Sequence, residues 1–132
     1  MASELKVNKL TGVTTAGSIS VTGEGNSTTT NLQQGLCKWW GYKGNDGSSL
    51  PDSFNLGSIT DIGTGDFRLN FTNVMSNATY VFHCLNNHVP NDASAGGDSI
   101  SEINTTDCRV KLYDNGSIAD ATALLAGHGD LA

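Results

Sequence analysis

The side chains that could do chemistry are three histidines, three cysteines and ten aspartates, and their spacing predicts no catalytic arrangement. His83 adjoins Cys84, but neighbours in a β-strand point to opposite faces, so the two cannot act together as base and nucleophile. No Gly-x-Ser-x-Gly pattern is present, and most aspartates stand beside Gly, Asn, Ser or Thr, as turn residues do. We therefore expect no catalytic residue and no enzymatic activity.

The cysteines predict neither a disulfide framework nor a metal centre. Cys37, Cys84 and Cys108 are an odd number, with no Cys-x-x-Cys and no Cys/His pair at metal spacing. We expect small buried side chains or free thiols in a reducing cell, and no metal or other cofactor.

The longest stretch without strand periodicity spans residues 85–107 and is rich in polar and acidic side chains. Loops of this length are usually functional or disordered. Because the acidic spacing of a calcium loop is absent, a solvated polar loop is favoured over a cation site. As an outward-facing loop it is the leading candidate for contact with a ligand or a neighbouring subunit, through Asn87, His88, Asp92 and Asp98.

Trp39, Trp40 and Tyr42 form the largest aromatic concentration, and they admit two interpretations. Aromatic faces can stack on sugar rings. However, adjacent tryptophans in a strand point to opposite faces, so one should enter the core while the other meets solvent, a second sheet or another subunit. Core or interface packing is therefore favoured over a sugar site.

Composition favours one compact all-β protein. Gly, Thr, Ser and Asn make up 56 of the 132 residues, and only 15% are charged. The net charge of −6 argues against nucleic acid as a partner. No apolar run approaches eighteen residues and the opening MASELKVNKL lacks an apolar stretch, so we expect synthesis in a cytosol and no membrane insertion.

Residues 35–132 are expected to form a compact antiparallel β-sandwich or jelly-roll-like domain, because strand candidates recur every eight to twelve residues. The segments SFNLGSIT and DFRLNFTN, separated by a turn in IGTGD, predict a hairpin. DCRVKLYD alternates, and TYVFHCLN is apolar in both registers, which predicts a strand covered on both faces. A final strand is favoured in ATALLAGHGDLA.

Residues 1–34 read as an extended arm. Short alternating strands are expected around Leu5 and Val7 and around Ile19 and Val21. The arm has seven aliphatic side chains, too few to order it alone: Leu5, Val7, Leu10, Val13, Ile19, Val21 and Leu32. The arm is then either disordered or ordered by copies of itself or by a partner, and the alternation favours the second. The residues expected at the interface are Leu5, Val7, Leu10, Ile19 and Val21.

Four phrases of the chain together resemble a known family. They are MASELKVNKLTG, GSISVTGEGNSTTTNLQQGLCKWWGYKG, DSFNLGSITDIGTGDFRLNFTNVMSNATYVF and GHGDLA. The sequence is similar to small tail-fibre-like virion proteins of marine tailed phages, especially those of cyanobacteria. The likeness covers most of the chain apart from residues 85–107, and Cys37 and Trp39 stand where relatives carry alanine.

The resemblance implies a non-enzymatic structural protein of the virion, made in the host cytoplasm and commonly trimeric. Its N-terminal arm would attach to other virion proteins of the tail or capsid, and its C-terminal domain would face outward, available for contact with a host surface glycan. A capsid decoration protein that stabilises the shell is the alternative, and a glycan-binding module is a third hypothesis.

Overall fold

The structure, a computed structural model, describes residues 4–12, 19–22, 28–87, 98–114 and 116–131. The chain divides into two compact units, Met1–Leu36 and Cys37–Ala132. The boundary expected from the sequence lay between residues 34 and 35. Of the expected loop contacts, His88 and Asp92 lie outside the described residues.

The first unit has one small antiparallel pair of strands, β1 (Ser20–Thr22) and β2 (Thr29–Asn31), followed by a helical turn, α1 (Leu32–Gly35). Val21 pairs with Thr30, which confirms the strand expected around Ile19 and Val21. The strand expected around Leu5 and Val7 is wrong, since residues 4–12 contain no strand. Alternation alone does not make a strand, because the backbone groups need a partner to pair with.

The described residues of the second unit form nine strands in two antiparallel sheets. They are β3 (Trp39–Lys43), β4 (Asp52–Phe54), β5 (Leu56–Gly63), β6 (Asp66–Phe71), β7 (Val81–Asn87), β8 (Asp98–Ile103), β9 (Asp107–Asp114), β10 (Ser117–Ile118) and β11 (Thr122–His128). One sheet has the order β4-β3-β11-β7, and in the other β9 pairs with β6, β8 and β10 while β6 also pairs with β5. The expectation of an all-β, antiparallel fold is confirmed.

The two sheets pack on one core, as in a β-sandwich. The β4-β3-β11-β7 sheet contributes Trp39, Phe82 and Leu125, and the other sheet contributes a larger group of inward side chains. The fully buried members of that group include Phe67, Leu69, Cys108, Val110 and Leu112. The hairpin of β5 and β6, the alternation of β9 and the final strand β11 are as predicted.

The chain passes from one sheet to the other at Asn55, between β4 and β5. Its backbone is left-handed, with φ of 59°. The side-chain amide donates to the carbonyls of Lys38 and Asn73 at 3.1 and 3.0 Å, and its oxygen accepts the backbone N–H of Asn73 at 2.7 Å. These hydrogen bonds fix the backbone at the corner where the chain crosses from one sheet to the other.

Two expectations about β7 and β8 are wrong. Residues 85–107 are not one loop, because Asn87 ends β7 and Asp98 begins β8. The two isoleucines of β8 are an odd number of residues apart, so the sequence of this strand shows no period of two. A register shift between Ile100 and Glu102 accommodates that spacing in the sheet. Also, the described residues cover β7 on one face only. Val81, His83 and Leu85 are exposed, because the described strands of this unit form two layers.

Candidate interaction surface

Trp39 and Trp40 occupy opposite faces of β3, as predicted. Trp39 is fully buried, and its ring lies 5.1 Å from that of Phe82 and 5.3 Å from that of Phe71. Trp40 is 39% exposed, and Tyr42 shares its outward face. Of the three aromatic residues expected at an interface, only Trp40 and Tyr42 are therefore placed to touch a partner.

The outward side of the β4-β3-β11-β7 sheet carries large apolar side chains, and no described residue packs over them. We call this surface the apolar face; its large members are Trp40, Tyr42, Phe54, Val81, Leu85 and Leu124. Their exposed fractions run from 37% for Tyr42 to 66% for Leu85. Single exposed apolar residues are ordinary, but a contiguous patch on a soluble chain marks an interaction surface.

The strand register arranges the apolar face in rows across all four strands. One row is Phe54, Trp40, Ala126 and His83, and the next is Asp52, Tyr42, Leu124 and Leu85. His128 and Val81 begin a third row, in which the ring of His128 lies 6.1 Å from that of His83. Asp52, at one corner, is the sole carboxylate in these three rows.

The outward face of the other sheet has the opposite character, because its charged side chains pair with one another. Arg109 binds Asp66 through two N–H···O bonds of 2.7 and 2.8 Å. Arg68 donates to Glu102 at 2.6 Å and also pairs with Asp107. Glu102 accepts from Arg109 at 3.2 Å, so one carboxylate bridges both arginines. We call these five residues the ion-pair network.

The arginines keep the carboxylates of the ion-pair network ionised. The hydrogen bond from Arg109 lowers the pKa of Asp66, and hydrogen bonds from Arg68 and Arg109 lower that of Glu102. Burial favours the neutral acid at Asp107, but hydrogen bonds from an amide, a hydroxyl and the Arg68 guanidinium outweigh it, so this pKa is lowered too. This face is therefore charged, internally satisfied and suited to water.

Lys43 is a buried cation that sequence reasoning did not single out. Its Nζ donates to the carbonyls of Gly44, Asp46 and Ala121 at 3.0, 2.8 and 3.3 Å, and it lies 5.0 Å from the centre of the Phe67 ring. Burial lowers its pKa, although nearby carboxylates favour the charged form. The period of two along β3 placed it inward with Trp39. All three ammonium protons are used, so the group is structural.

Burial holds one thiol and one phenol of the core in their protonated forms. None of the three cysteines, all of which the structure describes, forms a disulfide, and burial raises the pKa of the Cys108 thiol to about 12. The Tyr80 hydroxyl donates to the carbonyls of Asn104 and Asp107 at 3.1 and 3.3 Å, and burial raises its pKa. Neither group is an activated nucleophile at neutral pH.

The expected contact residues of the arm are open to solvent in the single chain. Leu5 is 81% exposed, and Val7, Leu10 and Val21 are each more than half exposed. Ile19 is half-buried, and its carbonyl accepts the backbone N–H of Leu32 at 2.8 Å. These apolar side chains belong to one small unit, and none of them is among the buried core residues of the described chain.

Two further searches cover only the described part of the chain. No three His, Cys, Asp or Glu side chains among those residues lie close enough together to hold a metal ion. None of the described segments forms a helix long and apolar enough to cross a membrane.

Comparison with known proteins found no similar chain. No protein-family model matches the sequence, and neither the curated proteins nor the solved structures gave a match. The function must therefore be argued from the residues themselves.

Proposed function

We propose that this chain is a non-enzymatic structural protein of a tailed-phage particle, a short tail-fibre-like appendage. It assembles as a homotrimer, is made in the host cytoplasm and attaches to other virion proteins by residues 1–34. The outer loops of its β-sandwich are available for contact with the host surface. The four phrases that resemble virion proteins of marine phages support this reading, and so does the all-β fold.

One observation carries the proposal: both units hold large apolar side chains that the described residues leave exposed. In the first unit Leu5, Val7 and Leu10 are exposed, and in the second the apolar face is exposed. A protein that functions alone in water has no use for either surface, whereas an assembly component buries both. This argues for a part of a larger particle and against a free enzyme or a nucleic-acid binder.

A capsid decoration protein that stabilises the shell is the second candidate. A β-sandwich with an exposed apolar face also suits a small trimer seated on a shell. A glycan-binding module is the third, because Trp40 and Tyr42 lie side by side on one outward strand face.

Copy number in purified particles tests the proposal and separates its two forms. We expect quantitative mass spectrometry of the particles to find this chain at tens of copies or fewer. Hundreds of copies, matching the symmetry of the shell, would establish the decoration protein instead. Its absence from washed, intact particles would contradict both.

A further inference from the structure

We propose that the apolar face is the surface through which copies of this chain pack on one another. The inference rests on the homo-oligomer in the proposed function and names the side chains that form it. It concerns only the Cys37–Ala132 unit and the outward side of its β4-β3-β11-β7 sheet.

The two outward faces of the sandwich differ sharply in chemical character. One carries the ion-pair network, whose charges are paired and suited to water. The other carries six large apolar side chains, with a carboxylate only at the corner position of Asp52. Residues on the solvent side of an antiparallel sheet are normally polar, so the second face is built to be covered.

The exposed area of the apolar face is comparable to that of an interface between proteins. A large aromatic or aliphatic side chain with about half of its surface exposed presents roughly 100 Å², so the six together present on the order of 600 Å². A standard interface buries about 800 Å² on each partner, and the apolar core of the patch is most of that. The apolar face thus supplies most of the area that a standard interface needs on one partner.

The distribution of charge on the chain favours a second copy as the partner that covers the apolar face. Each chain carries a net charge of −6, so two copies repel one another through most of their surfaces. The rows of the apolar face contain one carboxylate and no lysine or arginine, so like copies approach here with the least repulsion. In these rows a basic partner would find only the Asp52 carboxylate to pair with, and an acidic partner would find no lysine or arginine.

The geometry of the face suits such packing. The four strands present a continuous surface, with Leu124 on the inner strand β11 and Leu85 beside it on β7. Tyr42 lies on the other side of Leu124. Apolar sheet faces pack on one another in β-sandwich cores, so the apolar faces of copies arranged around the axis of the proposed homotrimer can cover one another.

Leu124→Asp tests the inference, because Leu124 is 48% exposed at the middle of the apolar face. Sedimentation velocity and light scattering of the full chain, at tens of micromolar, measure the mass in solution. We expect the wild type at a multiple of 13.8 kDa and Leu124→Asp at 13.8 kDa with an unchanged circular dichroism spectrum. Ile62→Asp, on β5 of the other sheet at 42% exposed, is the matched control and should stay assembled.

A wild type that sediments as a monomer overturns the inference, and so does an assembled Leu124→Asp or a dissociated Ile62→Asp. Should Leu124→Asp fail to fold, Leu85→Thr replaces it in the same assay, because Thr suits a strand and Leu85 lies on the edge strand β7. If this chain were present in purified particles as a monomer, this inference alone would be wrong. If it formed oligomers in solution but were absent from the particles, the proposed function alone would be wrong.

Discussion

Gly127 lies directly across the sheet from Trp39, and the indole fills the space that a side chain at position 127 would occupy. A Cβ built on Gly127 would meet Nε1 of Trp39 at 2.1 Å. The largest side chain of the core therefore depends on the absence of a side chain on the neighbouring strand. Trp39 in turn contacts Phe71 and Phe82, which joins the two sheets.

Gly127→Ala should destabilise the domain by about 1–3 kcal/mol, the usual cost of overpacking a core. The indole is rigid and fully buried, so it cannot move aside as a flexible side chain would. Urea unfolding measures the effect. Gly63→Ala is the control, because a Cβ at position 63 would meet nothing within 4 Å, and it should change stability by less than about 0.5 kcal/mol. Equal stability of the two variants would contradict the packing described.

Asn55→Ala should cost about 2–4 kcal/mol, since it removes the side-chain hydrogen bonds at the corner and leaves an alanine in a left-handed conformation. Asn55→Gly loses the same bonds but adopts that backbone freely, so it should be more stable than Asn55→Ala by about 1–2 kcal/mol. Thermal unfolding of both variants separates the two contributions. If glycine were as costly as alanine, the backbone strain assigned to this corner would be wrong.

Acid should destabilise the domain through the ion-pair network. The pKa values of Asp66, Glu102 and Asp107 are lower in the folded protein than in the unfolded chain. Their stabilisation is therefore complete above the unfolded values, near pH 4–4.5, and is lost as the pH falls through the lower folded values. Melting temperature measured between pH 7 and pH 2 should fall in that acid range.

Glu102→Gln should flatten this acid dependence, because Glu102 bridges both arginines. Asp52→Asn, on the other sheet and outside the ion-pair network, is the matched control and should leave the profile unchanged. An identical acid profile for Glu102→Gln and the wild type would show that the network does not stabilise the folded state.

Much of the sandwich was predictable because its strands keep a period of two. Phe67 and Leu69 alternate with Arg68, and the structure buries the first two and places Arg68 in the ion-pair network. The same rule predicts that Trp39 and Trp40 point to opposite faces of β3, as the structure shows. Where one face of a strand packs on the core, the alternation of apolar and polar residues is enough to predict which side chains are buried.

Long-range relationships could not be predicted in this way. The bulge in β8 breaks the period of two, so the pattern of SISEI does not predict a strand. Nothing in the sequence pairs Gly127 with Trp39, and nothing marks Asn55 as the corner between sheets. The apolar face was missed as a unit because its members come from four strands, and only the register brings Phe54, Leu85 and Leu124 onto one surface.

Val7→Asp should leave the Cys37–Ala132 unit folded and prevent attachment to particles. Val7 is exposed in the first unit, so the change should alter thermal unfolding of the second unit by less than about 0.5 kcal/mol. Incorporation into particles is the measurement. Asn8→Asp adds the same charge at the next position and should still be incorporated. Normal incorporation of Val7→Asp would mean that this part of the chain is not the anchor.

Electron cryo-microscopy of intact particles tests the central claim most directly, because it locates the chain and shows what covers each surface. We predict density for the sandwich on the tail or shell, with the β4-β3-β11-β7 sheets of neighbouring copies facing one another and Trp40 and Leu124 buried between them. Particles without this chain, or copies whose apolar face is open to solvent, would contradict the account.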